Sequence, residues 1–200
     1  MNIARQLATI MCLAMVAHAM ADDFTIADFS IKQGETKTVS IELNNTESSY
    51  IAFEFYMTLP EGISIPEDED GYLMAELNAS RINHHNLEVS RMPDGKYHFL
   101  CYSGQNNALK GTSGEIISLT VKAADDATEA SGLEGLLFTQ KLSDTSQKKV
   151  TFDDFTFHVA VTKAVEEGMC PHGCLLGDMN QDGMLTVTDV MLLVKIISTQ

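Results

Sequence analysis

The chain has 200 residues, of which 44% are hydrophobic, and its formal net charge is -15 with only 13 lysines and arginines. That length suits one good core with a small appendage, and the hydrophobic share is that of a globular protein. The acidic balance, with no basic patch, excludes a nucleic-acid binder, whose affinity comes mainly from Lys and Arg on phosphate. It suits a protein that binds cations or stays soluble through its charge.

Residues 1–21 read as an export signal. Arg5 supplies positive charge, and residues 7–17, LATIMCLAMVA, form a short apolar run. Ala17-His18-Ala19 and Ala19-Met20-Ala21 both fit a small-x-small cleavage site. A buried helix is the alternative. The run falls short of the about 20 apolar residues that a membrane span needs, so no transmembrane segment is expected after cleavage. Cys12 lacks the small residues usual before a lipid-modified cysteine. Cleavage leaves Cys101, Cys170 and Cys174, an odd number in an exported protein. Cys101 sits in a strand-like segment and is expected to be a small buried hydrophobe.

Residues 22–163 follow a period of two, the mark of half-buried strands. In DFTIADFSI the apolar face shifts between Ile26 and Phe29, which predicts a bulge or a break. Val39, Ile41 and Leu43 alternate in KTVSIEL, and Ile51, Phe53, Phe55, Met57 and Leu59 form one face of YIAFEFYMTL. HNLEVSRM and KYHFLCYS read as a hairpin across Pro93-Asp94-Gly95, where Pro fixes φ and Gly supplies positive φ. EIISLTVK and FTFHVAV repeat the alternation. Turn signals recur at Gly34, Pro60-Glu61-Gly62, Gly104, Gly111 and Gly114, while PEDEDG (66–71) and ADDATEASG (124–132) read as solvated loops. Regularly spaced strands without a long helical pattern predict a mainly β chain folded as a β-sandwich.

Residues 164–176, AVEEGMCPHGCLL, change character and read as a linker. Cys170, His172 and Cys174 offer three candidate ligands and no fourth, a poor zinc site. A local disulfide between Cys170 and Cys174 is the favoured reading for an oxidising compartment.

The stretch 177–197, GDMNQDGMLTVTDVMLLVKII, has the spacing of a twelve-residue calcium loop followed by a helix. Asp178, Asn180 and Asp182 fill the first, third and fifth positions, Gly183 the sharp turn, and Met184 offers its carbonyl. Thr186 and Asp189 complete the set. Calcium is a hard cation that wants six to eight oxygens, and alternate residues of a tight loop can aim oxygens at one centre. The competing reading is an Asp/Asn/Gly turn before a helix capped by Thr186 or Thr188. Asp at the closing position is shorter than the Glu of an EF-hand, and no helix enters the loop. With three carboxylates the expected affinity is modest, around 10⁻⁴ to 10⁻³ M as in extracellular modules. After the loop, Val190, Leu193, Val194 and Ile197 form one stripe, with Met191, Leu192 and Ile196 covering the rest. Such a helix is expected to be buried on its own sandwich or on another chain.

Gly-Asp-x-Asn-x-Asp-Gly, a closing Asp and an apolar helix resemble one type I dockerin repeat. Dockerins normally carry two repeats, and one is present here. Val187 and Thr188 fall where the family often has Ser-Thr for partner recognition, and Val187 departs from that pattern. The sandwich region resembles the cohesin and carbohydrate-binding-module superfamily through GETKTVSIELNN, YIAFEFYMTLPEGI and GTSGEIISLTVKA. The combination is similar to secreted proteins of gut Bacteroidetes. This resemblance implies a jelly-roll-like sandwich over 22–163 and a dockerin-like half module over 177–200. It also implies a bacterial protein that is secreted, periplasmic or on the cell surface. The partner would be a protein met through the C-terminal unit, with polysaccharide as a second candidate.

If Phe53, Phe55 and Met57 face the core, Tyr50, Glu54 and Tyr56 line the opposite face, with next neighbours about 6.6 Å apart, as a flat glycan platform without Trp. No HExxH or GxSxG motif is present, and a two-carboxylate glycosidase needs a cleft that a sandwich of this size seldom has. The expectation is therefore a non-catalytic binding or assembly protein linked to extracellular polysaccharide use. A carbohydrate-binding module is the alternative, with a glycoside hydrolase behind both.

Overall fold

Apolar side chains at every second position give each strand one face for a core, and two such sheets can bury those faces against each other. The computed structural model describes residues 22–164, 177–179, 184 and 186–191. The described strands are β1 (Asp23–Ile26), β2 (Phe29–Lys32), β3 (Thr36–Asn44), β4 (Tyr50–Thr58), β5 (Ile63–Ser64), β6 (Ala75–Leu77), β7 (His85–Arg91), β8 (Tyr97–Ser103), β9 (Glu115–Ala123), β10 (Ala130–Asp144), β11 (Lys149–Thr151) and β12 (Phe155–Thr162). A short helix covers 187–191.

The smaller sheet runs β1-β3-β9-β5, with β6 also on β9; the larger runs β2-β12-β10-β4-β8-β7, with β11 on β10. Pairing is antiparallel except for β12 with β2. The break expected between Ile26 and Phe29 is where the chain changes sheets, since β1 pairs with β3 and β2 with β12. The result is a jelly-roll-like β-sandwich, mainly β, with one small C-terminal helix.

Phe24, Phe53, Phe55, Phe99 and Phe157 are each at most 1% exposed and fill the space between the sheets with Ile41, Leu43, Ile117, Val121 and Val159. Phe55 stacks on Phe99 at 4.7 Å, and Phe24 meets Phe53 edge-on at 5.2 Å, arrangements that add to simple burial. At Gly135 the ring of Phe157 lies where a Cβ would stand, 2.2 Å from its Cζ, so only glycine fits. Cys101 is fully buried, as expected of a small hydrophobe, and burial pushes its thiol pKa up to about 12.

One end of the smaller sheet is clipped by Arg81, 5% exposed. Its Nε donates to Lys110 O at 2.6 Å, Nη1 to Gly114 O at 2.8 Å and Nη2 to Asn45 Oδ1 at 2.7 Å. A buried guanidinium is tolerated only when its donors are satisfied this fully.

The strand β10 has no counterpart among the sequence expectations, which left 124–132 as loop. Leu137 faces the core, but so do Gln140 and Leu142. The register with β4 shifts between Phe138 and Lys141, and Thr139 takes φ of 53°. That bulge resets the alternation by one residue, which hides the strand from a period-of-two reading. Gln140 Nε2 supports the bulge by donating to Leu137 O at 3.3 Å and Asp153 O at 2.6 Å.

Candidate functional site

The centre of the larger sheet is β4, flanked by β10 and β8, with β7 beyond. Because Phe53, Phe55 and Met57 point inward, Glu54 and Tyr56 point out. Registers set Tyr56 opposite His98 and Phe138, and Glu54 opposite Leu100 and Lys141. On the next strand, Ser90 is level with His98 and Glu88 with Leu100. Four strands therefore present ordered cross-strand rows on one rigid face.

Three rings make one row. Tyr56 stacks on His98 at 4.7 Å and on Phe138 at 5.7 Å, and Lys96 Nζ sits 5.7 Å from the Phe138 centroid. Glu54 anchors the next row, 3.2 Å from His98 Nε2 and 3.9 Å from Lys141 Nζ. Towards the edge, Tyr102 donates its hydroxyl to Glu88 at 2.9 Å, and that bond raises the Tyr102 pKa. Asp94 in the hairpin turn pairs with Lys96 at 2.7 Å, which holds its carboxyl below the ordinary range. Beside the aromatic row a groove of about 400 Å³ is lined by Ala52, Glu54, Leu100, Lys141, Ser143 and Lys149, among others. Lys96, Lys141 and Lys149 gather on one face of a chain whose net charge is -15. The face thus has an aromatic and aliphatic middle with charged edges.

The predicted glycan platform is corrected at one residue. Glu54 and Tyr56 share the outer face, but Tyr50 does not: it is 1% exposed. A register shift between Ser143 and Asp144 turns Tyr50 inward. There it meets Phe152 edge-on at 5.8 Å and donates its hydroxyl to Asp22 at 2.7 Å. Burial and then that bond push its pKa up. Sequence reasoning missed Phe138, Lys141 and Lys149 because β10 and β11 were not recognised. It saw His98 and Leu100 only as members of an alternating strand.

In the C-terminal segment, Asp178 and Asp189 are 9% and 3% exposed. Asp189 gathers the loop: its Oδ1 accepts from Met179 N at 2.9 Å, and its Oδ2 from Thr186 N at 2.8 Å and Thr186 Oγ1 at 3.1 Å. Thr186 in turn accepts from Thr188 N at 3.3 Å. Asn180 and Asp182 lie outside the described residues, as do Cys170, Cys174, Leu193, Val194 and Ile197. Among the described residues no three His, Cys, Asp or Glu side chains stand close enough to hold a metal. The two buried acidic side chains and the Thr186 hydroxyl are the hard oxygen donors that calcium takes. Of the stripe expected to be buried on its own sandwich or on another chain, Val190 is 60% exposed in the single chain, with Val187 and Met191 beside it at 75% and 67%. Among the described residues no helix is long and apolar enough to cross a membrane.

Known structures share this fold. A cohesin from a Clostridium perfringens family 33 glycoside hydrolase matches with TM-score 0.57 and 10% identity, over 72% of this chain and 98% of its own. The sixth cohesin of scaffoldin B from Acetivibrio cellulolyticus, solved in complex with a Cel5 dockerin, matches with TM-score 0.55 and 15% identity, over 70% and 99%. A non-cellulosomal cohesin from the archaeon Archaeoglobus fulgidus matches with TM-score 0.54 and 9% identity, over 73% and 94%. No protein-family profile and no curated protein sequence matches the chain. At these identities the likeness is one of fold. It corrects the resemblance read from 177–197: the structural likeness is to cohesin modules and not to a dockerin. A 21-residue spacing of Asp, Asn and Gly reports the chemistry of one loop, whereas about 70% of the chain follows the cohesin sandwich.

Proposed function

We propose that the sandwich is a non-catalytic docking module that receives a protein partner on the outer face of its larger sheet. The observation that carries this reading is the row Tyr56, His98 and Phe138, stacked and flanked by Glu54 and Lys141. Stacked aromatic side chains on a stiff sheet lose little conformational freedom on binding, which is what hot spots need. Cohesins of the same fold have been solved in complex with dockerins, so a dockerin is the class of partner to test. Export through residues 1–21 would place this docking outside the cell, in an assembly that handles polysaccharide. Titration of the full chain against a panel of dockerins by calorimetry tests the reading. At least one should bind, and Tyr56→Ala with Phe138→Ala should weaken it by about thirtyfold, the size of one hot spot of about 2 kcal/mol. Folded protein that binds none of them would sink the proposal.

Calcium belongs to the same reading, held by Asp178, Asn180, Asp182, the Met184 carbonyl, Thr186 and Asp189. Its support is the Asp189 carboxylate, which draws both ends of the loop together.

A further inference from the structure

The smaller sheet carries its own groove, of about 420 Å³, on the far side of the core from the docking face. Its floor is hydroxylic: Thr38 stands opposite Thr120 across β3 and β9, and Ser118 is level with Glu76 of β6. Its wall is the hairpin 66–74, fixed by the Glu67–Leu73 bridge, by Met74 N donating to Pro66 O at 2.9 Å, and by Asp68 Oδ1 accepting from Tyr72 N at 2.9 Å. Thr120 N donates to Met74 O at 2.9 Å and ties this wall to the sheet. From the wall Tyr72 projects with 73% of its surface exposed. Leu73 packs on the core from the same hairpin, while Tyr72 does not. The ring lines the groove together with the Asp68 and Glu76 carboxylates.

We infer that this groove binds a neutral saccharide chain. Carboxylates accept from paired hydroxyls, and Thr and Ser hydroxyls both donate and accept. An exposed phenol offers an apolar face to the C–H side of a sugar ring. Other classes fit less well. Among the described residues no group of three or more metal-ligating side chains exists. An anion would meet Glu67, Asp68, Glu69, Asp70 and Glu76 in a chain of net charge -15. An apolar peptide would meet hydroxyls where it needs a dry pocket. The site lies on the opposite sheet from the docking face and does not depend on that reading.

Affinity electrophoresis of the full chain tests it, in native gels containing xyloglucan, arabinoxylan or mixed-linkage β-glucan, with polygalacturonate as the charged comparison. At least one neutral polymer should retard the protein and polygalacturonate should not. Tyr72→Ala should weaken retardation by about tenfold, and Glu76→Gln by about fivefold as a charge-assisted hydrogen bond becomes a neutral one. Both side chains are exposed, so unchanged melting temperatures will show that the variants fold. Absence of retardation in all three neutral polymers, or equal retardation of Tyr72→Ala and wild type, overturns the inference. Equal retardation in polygalacturonate overturns the neutral class.

Discussion

The two sheets share one core and part company on their outer faces. On the larger sheet the outward rows are aromatic in the middle and charged at the rim, with Tyr56, His98 and Phe138 stacked beside Glu54 and Lys141. On the smaller sheet they are hydroxylic: Thr38 faces Thr120, and Ser40 faces Ser118 and donates to Glu115. Inward, both sheets are apolar, the larger carrying most of the aromatic rings and the smaller, apart from Phe24, aliphatic side chains. Folding is driven by the inner faces, so it leaves the outer ones free to differ. On the two proposals above, the contrast would sort the faces by ligand, a protein on one side and a polyhydroxyl chain on the other.

The contrast holds only if substitutions inside damage both faces and substitutions outside damage one. The largest effect is expected from alkali acting on Cys101. Its folded pKa is raised from 9.0 to about 12 by burial. A raised pKa contributes stability that is fully present below the unfolded value and lost as pH rises through the folded value. Stability should therefore fall between pH 9.0 and about 12 by up to roughly 4 kcal/mol, taking 1.36 kcal/mol per unit. Tyr50, also raised, adds loss above its ordinary value of 10.0. Urea midpoints measured against pH should show a smaller slope in Cys101→Ala than in wild type. An equal slope would mean that the thiol is not buried in solution.

Arg81→Ala should follow, at about 3 kcal/mol, because it strips partners from the buried Asn45 amide and the part-buried Lys110 and Gly114 carbonyls at one end of the smaller sheet. Arg81→Lys should not restore the loss, since an ammonium cannot span a forked site. Denaturant unfolding measures both. If either variant weakens the hydroxylic groove while sparing the docking face, the sheets are less coupled than their common core implies.

How far these faces could be read from the sequence depended on phase. Where alternation runs unbroken, as from Phe53 to Met57, inward and outward residues follow directly. The change of sheet after Ile26 and the hairpin at Gly95, with φ of 84°, were also signalled by residue type. Two bulges defeated the reading. One at Thr139 and Gln140 concealed β10, and with it Phe138 of the aromatic row; the other, between Ser143 and Asp144, turned Tyr50 into the core. Bulges obey pairing across strands, which a single strand's sequence does not carry. The C-terminal motif failed differently. Its spacing describes a loop's oxygen donors and says little about the module around it.

Calcium should act on neither face directly. At about 100 times its dissociation constant it would stabilise the loop by about 2.7 kcal/mol. Calorimetry of the full chain, with calcium added and then removed by chelator, should show this as a shift in a C-terminal transition. Asp189→Asn should abolish the shift, since Asp189 joins the Met179 and Thr186 ends of the loop.

The smallest effect is expected at the rim of the docking face. Lys96 and Asp94 pair at 2.7 Å, but both side chains are about half exposed. Such pairs contribute little to stability because water and salt screen them. Asp94→Asn should thus leave the urea midpoint almost unchanged. It should instead free Lys96, which lies close to Phe138. A rim charge acts mainly on the rate of encounter. The predicted signature is an altered on-rate and salt dependence for a dockerin partner with the same dissociation rate, read by surface plasmon resonance. A changed dissociation rate would put Lys96 inside the buried centre of the interface and move the docking footprint towards the hairpin at Gly95.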